Sequence, residues 1–187
     1  MKYRRFRKLW AICLSVAATI LLAGFLIPER KAMPCGNPGD YNHQSFWYWP
    51  WTRGTAGWPH TGVDIFGTVG APVVSQTGGL VIYAKNMPGK AGNSVFVLGP
   101  KWRIHEYLHL NSVETSKFKF VKPGEKIGTL GKSGNAASTP AHVHYGIVTP
   151  VPYVWRLFAD EGTCNPPKRF NWRLMFWLDP ADHLPER

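Results

Sequence analysis

Four histidines and an aspartate in the middle of the chain have the spacing that a metal site requires. His60 and Asp64 are four residues apart in H-T-G-V-D, His109 lies in Y-L-H-L, and His142 and His144 are two apart in A-H-V-H-Y-G. Side chains at i and i+2 of a strand point to the same face, so the last pair would project into one cleft. Zinc accepts imidazole and carboxylate ligands, and a catalytic zinc keeps three of them with a fourth position open. The stretch therefore predicts a zinc site with two groups more than the metal needs.

The surplus groups suit hydrolysis. A hydrolytic zinc site also needs groups that take a proton from water and stabilise the charge that develops on a carbonyl oxygen. His109 and one member of the pair His142 and His144 are the natural candidates. Gly62 lies between His60 and Asp64, and we expect it to let the backbone bend so that these two side chains converge.

The elements that position these groups are predicted to be short strands. Turn signals occur at Gly78-Gly79, Pro88-Gly89 and Pro123-Gly124, and no long segment of this region has helical periodicity. Many short strands with regular turns predict an antiparallel all-β domain. The candidate strands are Pro72 to Ser75, Leu80 to Ala84, Ser94 to Leu98, Arg103 to Leu110, Lys126 to Leu130 and His142 to Val148.

Strict alternation in the strand from Arg103 to Leu110 predicts which side chains face the cleft. It places His105, Tyr107 and His109 on one face, so the first two are expected near His109. His105 could orient another group or lie on the surface, and we favour the surface position. The opposite face of this strand would carry Ile104, Leu108 and Leu110.

In the strand from His142 to Val148, the two histidines alternate with large apolar residues. The histidines would face the site while the other face packs inward. That apolar face consists of Val143, Tyr145 and Ile147.

These motifs resemble the LytM or lysostaphin-type zinc endopeptidases, which cut peptide cross-links in bacterial cell walls. H-T-G-V-D, Y-L-H-L, V-K-P-G-E-K-I-G-T-L-G at Val121 to Gly131 and the final H-V-H occur in the right order over residues 58–149. The resemblance implies an antiparallel β-sheet or sandwich core of the LytM (duplicated hybrid motif) type. It also implies one zinc ion held by His60, Asp64 and His144, with His109 and His142 as the unliganded catalytic histidines.

One departure from the family's pattern lies just before the last motif. S-T-P-A-H at Ser138 to His142 stands where S-T-G-P-H is more usual. The change alters a loop beside the site, and we expect it to affect substrate fit more than metal binding.

The N-terminus carries a predicted membrane anchor. A basic cluster in residues 1–8 precedes an uncharged apolar run from Leu9 to Ile27. As a helix these 19 residues would reach about 28 Å, close to the thickness of the bilayer hydrocarbon. The positive charges place the N-terminus in the cytoplasm. A cleaved signal peptide is the alternative, but the run is long for one and no small-x-small cleavage site follows it. We expect a single-pass protein of the inner membrane with a periplasmic domain.

The net charge of +11 is concentrated at this end, since residues 1–31 carry seven Lys or Arg against one Glu. The rest of the chain is only mildly basic and has no recognised DNA- or RNA-binding motif, so a nucleic-acid partner is excluded.

The regions beyond the anchor divide into three. Residues 28–57 are expected to be a linker with an aromatic lead-in, 58–149 the peptidase-like core, and 150–187 an irregular C-terminal extension closing the domain. The aromatic run Phe46 to Trp51 could line a substrate groove, but packing against the domain is the favoured alternative. In an oxidising compartment Cys35 and Cys164 are expected to form a disulfide, the alternative being two independent thiols.

The resemblance implies a zinc endopeptidase acting on peptidoglycan stem peptides, and the apolar run adds the expectation that it is anchored in the membrane. A Gram-negative periplasm would make the bond the direct cross-link between D-alanine and a diamino acid. A non-hydrolytic module that regulates another cell-wall hydrolase, with its own protein partner, is the alternative, and loss of ligands or catalytic histidines would indicate it. The hairpin P-G-E-K-I-G-T-L-G is also similar to biotinyl or lipoyl carriers, but Lys126 and Lys132 lie in no attachment motif.

Overall fold

The computed structural model describes residues 2–36, 41, 46, 59–158 and 172–185. One helix, α1 (Lys2–Leu26), precedes a set of antiparallel strands, so the predicted all-β domain with an N-terminal helix is confirmed. The strands in the described residues are β1 (Gly62–Phe66), β2 (Pro72–Val74), β3 (Gly79–Met87), β4 (Gly92–Leu98), β5 (Ile104–Leu110), β6 (Ser112–Val113), β7 (Phe120–Val121), β8 (Lys126–Thr129), β9 (His142–Val148) and β10 (Trp177–Leu178).

The strands form two sheets. The larger has the order β1-β9-β5-β4-β3-β7, and β10 continues the β1 side of β9. The smaller has the order β2-β8-β6. Strand β9 lies between β1 and β5, so residues of both neighbours can meet its histidines from either side.

One face of the larger sheet carries the hydrophobic core. Val143, Tyr145 and Ile147 of β9 are fully buried, which confirms the predicted inward face of this strand. Val63 and Ile65 of β1 are also fully buried, and they alternate with Asp64 because successive strand residues point to opposite faces. The same alternation leaves the other face of β1 and β9 for polar groups.

Helix α1 contains an apolar stretch, Phe6–Leu26, with a mean hydropathy of 2.3. By length and composition it could cross a membrane, a property that an N-terminal signal sequence shares.

The C-terminal extension contributes to the domain. Strand β10 pairs with the end of β9, joining Trp177 to Val148, and Leu174, Leu178 and Leu184 are buried in the core.

Two predictions about the flanking regions fall partly outside the described residues. Phe46 is buried in the core, as the packing alternative for the aromatic lead-in predicts, but residues 47–51 lie outside. Cys35 is buried, whereas Cys164 lies outside the described residues, so the disulfide stays a prediction.

Candidate metal centre and active site

His60, Asp64 and His144 converge at the edge where β1 meets β9. Asp64 is directly opposite His144 in the strand register, and His144 Nδ1 donates to Asp64 Oδ1 at 3.0 Å. His60, just before β1, places its Nε2 at 3.1 Å from the same oxygen. One ligand atom from each of the three residues lies within 4.8 Å of the others. Two imidazoles and a carboxylate so arranged fit the donor set of a three-ligand zinc site.

Gly62 is required at this edge for a reason that differs from the expected bend. It lies in the regular strand β1, opposite Gly146. A Cβ at Gly62 would overlap the Tyr145 carbonyl oxygen and approach His144 Nε2 to 2.7 Å. The missing side chain therefore lets β1 and β9 come close enough for Asp64 to meet His144.

A β-bulge brings His109 to the same cleft. Strands β4 and β5 pair Asn93 with Leu110 and Val95 with Tyr107, so Ser94 faces two residues of β5 instead of one. His109, within the bulge, has a left-handed backbone with φ of 64°. Non-glycine residues rarely adopt this conformation, and bulges often redirect side chains beside active sites.

The bulge makes the predicted alternation of β5 wrong. Tyr107 is fully buried on the core face, where its hydroxyl accepts a hydrogen bond from the Gln76 backbone N–H at 2.7 Å. His105 is also fully buried there, not on the surface as expected, and its Nδ1 lies 2.8 Å from the Tyr145 hydroxyl. Leu108, predicted on the face opposite His109, lines the cleft with it. Neither His105 nor Tyr107 is therefore close to the metal ligands.

His109 and His142 are both held through Nδ1. His109 Nδ1 donates to the Ser133 carbonyl at 3.0 Å, and His142 Nδ1 donates to the Pro140 carbonyl at 2.8 Å. The two ring centroids are 5.1 Å apart. Because a carbonyl can only accept, the proton of each neutral ring is on Nδ1, and Nε2 carries the free lone pair. Pro140 belongs to the S-T-P-A-H departure, so this loop orients a histidine.

The carbonyl that holds His109 is fixed by a close backbone contact that the sequence motifs did not reveal. Gly92 and Gly134 both have left-handed backbones, and a Cβ on either would approach the backbone beside the other more closely than real contacts allow. Ser133 Oγ also accepts from the Asn93 N–H at 2.9 Å and donates to the Leu110 carbonyl at 2.8 Å. The turn between β3 and β4 thus supports the loop that orients His109.

Electrostatics favour neutral histidines around an ionised aspartate. Burial opposes ionisation of Asp64, but hydrogen bonds from His144 and His60 hold the pKa of its carboxyl well below the usual range. Burial, with added repulsion from His144 and His142, lowers the pKa of His109 to about 4. Burial also lowers the pKa of His144, although its hydrogen bond to Asp64 opposes the shift. Neutral imidazoles can bind a metal or accept a proton at neutral pH.

The five groups line an open cleft of about 470 Å³. All of the predicted site residues are therefore brought together. Further cleft residues that lie outside the quoted motifs are Pro59, Lys90, Ala91, Asn135 and Ala136.

Glu106 is a further polar residue near the cleft that the motifs missed. It pairs with Gly146, two positions along β9 from His144, and a Cβ on Gly146 would lie 3.3 Å from Glu106 Oε2. Removal of the carboxyl from water raises its pKa to about 7. The sequence signal available for it was strand alternation: Glu106 is adjacent to Tyr107, so when Tyr107 faces the core, Glu106 faces the side of the cleft.

Comparison with known proteins identifies one family and several relatives. The pattern of Peptidase family M23 matches residues 58–154, just over half of the chain. The Peptidoglycan DD-endopeptidase ShyA of Vibrio cholerae is 33% identical over 90 residues, covering 48% of this chain and 20% of ShyA. The Murein hydrolase activator NlpD of Escherichia coli is 28% identical over 100 residues, covering 50% of this chain and 26% of NlpD. The chain thus spans only about a fifth to a quarter of the length of these relatives.

Among solved structures, the chain is similar to a zinc-containing peptidase from Vibrio cholerae. The TM-score is 0.52 at 28% identity, covering 64% of this chain and 36% of that one. The expected core fold is confirmed by this likeness and by the geometry above.

Proposed function

Because this chain belongs to peptidase family M23, we propose that it is a membrane-anchored zinc endopeptidase that hydrolyses peptide cross-links of peptidoglycan. The observation that carries the proposal is the convergence of five groups in one cleft. Three offer ligand atoms within 4.8 Å of one another, and two more histidines lie beside them with free Nε2 atoms.

His60, Asp64 and His144 are the proposed ligands. A zinc ion held by them would supply the Lewis acidity that activates water and polarises a peptide carbonyl. Their donor chemistry fits this ion, since Asp64 is held ionised and His144 is held neutral. The hydrogen bonds that now join Asp64 to both histidines show that the three side chains already point to one place.

His109 is the proposed general base. Its Nδ1 is bound to the Ser133 carbonyl, so Nε2 is free to accept a proton from the attacking water and to deliver it to the leaving amine. The His109 and His144 ring centroids are 6.1 Å apart, which places the base next to the ligands without making it one of them.

His142 is the proposed electrostatic partner of His109. Its Nε2 lies 3.8 Å from Asp64 Oδ1, so this atom faces the cleft beside the proposed ligands. A protonated His142 would donate from Nε2 to the oxygen that becomes negative during attack. The Pro140 carbonyl fixes the ring in this orientation.

The substrate class rests on the relatives. ShyA is named as a peptidoglycan DD-endopeptidase, which supports the direct cross-link between D-alanine and a diamino acid as the bond. The apolar helix α1 supports attachment to the inner membrane with the domain outside. Named relatives also include a hydrolase activator, so a regulatory binding module is the competing outcome of the test.

The test is digestion of purified cross-linked peptidoglycan by the zinc-loaded full chain in detergent, with products identified by mass spectrometry. We expect uncrosslinked peptides, whose masses identify the bond. His109→Ala should keep zinc and lose hydrolysis, whereas His144→Ala should lose both. His183→Ala, a histidine outside the cleft, is the matched control and should retain both.

Two results would contradict the proposal. Zinc content unchanged in His144→Ala would show that the ligand assignment is wrong. No product from a protein that holds one zinc per chain would instead favour the regulatory module.

A further inference from the structure

The segment that follows α1 is packed against the domain. Residues 29–36, here called the strap, contact it through the backbone and through the charge of Glu29. Glu29 Oε2 lies 2.8 Å from Arg103 Nη1, the Ala32 N–H donates to the Gln76 carbonyl at 2.7 Å, and the Pro34 carbonyl accepts from the Val74 N–H at 2.8 Å. Only two residues separate the strap from the end of α1. Little free chain therefore remains between the helix and the domain.

The charge of Glu29 fixes the beginning of the strap. Its side chain is only 4% exposed, and Lys101 Nζ lies 3.8 Å from the carboxylate that Arg103 binds. A buried carboxylate is stable only when it is paired, so its removal from Arg103 would be unfavourable. This ion pair joins the strap to the loop that leads into β5.

The same loop contacts α1 directly. Trp102 Nε1 donates to the Leu21 carbonyl at 2.8 Å, and the indole covers the buried Gly24, where a Cβ would overlap the ring. Lys101 and Trp102 have left-handed backbones, with φ of 58° and 59°. Such conformations are rarely populated without glycine and persist only when surrounding contacts impose them. The Glu29 pair and the Gly24 contact are two contacts of this kind.

The position of Leu21 sets the depth of Trp102 relative to a bilayer. Leu21 lies five residues before the end of the apolar stretch Phe6–Leu26, about 7.5 Å along the helix axis. In a helix whose apolar stretch spans a membrane, this level lies in the outer edge of the hydrocarbon. The Trp102 indole, which extends from Leu21 over Gly24, therefore lies just below the head groups, next to the interface where tryptophan is enriched. Beyond the helix, Arg30 and Lys31 are exposed and suit anionic head groups.

We infer that residues 100–103 and the strap dock the domain on the surface of the membrane that α1 crosses, with the Trp102 indole just below the head-group layer. The inference rests on the proposed anchor and adds a lipid contact that belongs to the folded domain. Strand β5 begins at this contact, and Leu108 lies opposite His144. Arg103 and Leu108 are five residues apart, about 17 Å in extended chain. The metal ligands are thus held at the end of β5 away from the lipid contact.

The test measures the depth of two positions on the full chain in nanodiscs of phosphatidylethanolamine and phosphatidylglycerol. Lys101→Cys reports on the docking loop, and Lys90→Cys, beside the cleft, is the matched control. Each is made in a Cys13→Ala background and labelled with an environment-sensitive fluorophore, and labelling of the background protein is subtracted. Lipids with a spin label near the head group quench the fluorophore according to its depth.

We expect quenching at position 101 to exceed that at position 90 several-fold. Adding Gly24→Ala should displace the Trp102 indole and reduce quenching at 101 toward the value at 90. Because alanine favours helix more than glycine does, α1 should still insert, which co-flotation with lipid checks.

Three outcomes would overturn the inference. Equal quenching at the two positions would show a domain that is not docked. Strong quenching at 101 that Gly24→Ala does not change would show that the Trp102 contact does not hold the loop. Failure of the parent chain to float with lipid would show that α1 does not anchor the protein in the membrane. Peptidoglycan hydrolysis is measured separately and tests the proposed enzymatic activity.

Discussion

Replacing Gly62 by alanine should weaken zinc binding without touching a ligand. The new Cβ would overlap the Tyr145 carbonyl oxygen and lie 2.9 Å from the carbonyl carbon. These are backbone atoms of a paired strand, so they cannot move aside as a side-chain tip could. Strand β1 would have to shift away from β9 and carry Asp64 away from His144, its register partner.

The size of the effect follows from the kind of strain. Adding a methyl group to a closely packed position typically costs about 1–3 kcal/mol. Zinc binding requires the two strands to remain together, so this energy opposes ligand convergence. If all of it appeared in binding, the zinc dissociation constant would rise about 5-fold to 150-fold.

The assay is competition between the protein and a chelator of known affinity, with thermal unfolding recorded on the same samples. Gly78→Ala is the matched control, because a Cβ there would meet Pro123 Cδ at 3.4 Å, an ordinary contact. The control should bind zinc as the parent does. Unchanged affinity in Gly62→Ala, with the protein folded, would refute the argument that strand separation sets the metal site.

Three further predictions concern stability. Burial raises the pKa of Glu106 from 4.5 to about 7 in the folded state, so the folded protein binds this proton more tightly than the unfolded chain does. The free energy of unfolding should therefore fall by up to about 3 kcal/mol as pH rises from below 4.5 to above 7. In urea unfolding of the full chain in detergent, Glu106→Gln should remove this part of the pH dependence. An equal dependence of the unfolding free energy on pH in both proteins would show that Glu106 is not its source. Free zinc at one hundred times its dissociation constant should stabilise the parent by about 2.7 kcal/mol, and His144→Ala should show no such gain in melting temperature. Ile147→Ala, at a fully buried position of β9, should lower the free energy of unfolding by about 2–5 kcal/mol, whereas a loss below 1 kcal/mol would indicate that the core collapses around the smaller side chain.

Sequence periodicity predicted β9 well because this strand is regular. All of its residues alternate between the core and the cleft, so His142 and His144 share the cleft with no interruption. The same reasoning was wrong in β5, because the bulge at Leu108 and His109 reverses the alternation. A bulge marked by glycine could have been anticipated, but here a histidine adopts the left-handed conformation, and it does so because neighbouring strands and Ser133 hold it there.

Local sequence patterns also could not predict contacts between distant segments of the chain. Gly92 and Gly134 were visible as glycines, yet only the folded chain shows that each makes room for the other's backbone. Glu29 contributes to the sequence analysis only as one acidic residue near the apolar run, whereas its pairing with Arg103 depends on a partner 74 residues away. Strand β1 was not predicted as a strand, since its five residues include a glycine and an aspartate, both of which are depleted in strands.

The two faces of β9 carry an argument about function. Val143, Tyr145 and Ile147 supply the core contacts, and the cleft face adds little to them. Burial lowers the pKa of both His109 and His144, which records the loss of hydration that these rings suffer in the folded chain. A module that only bound a partner could replace such groups by apolar residues and gain stability. All five polar groups nevertheless line one cleft, with three of them offering ligand atoms within 4.8 Å of one another, and that arrangement, which folding alone does not require, favours hydrolysis over binding.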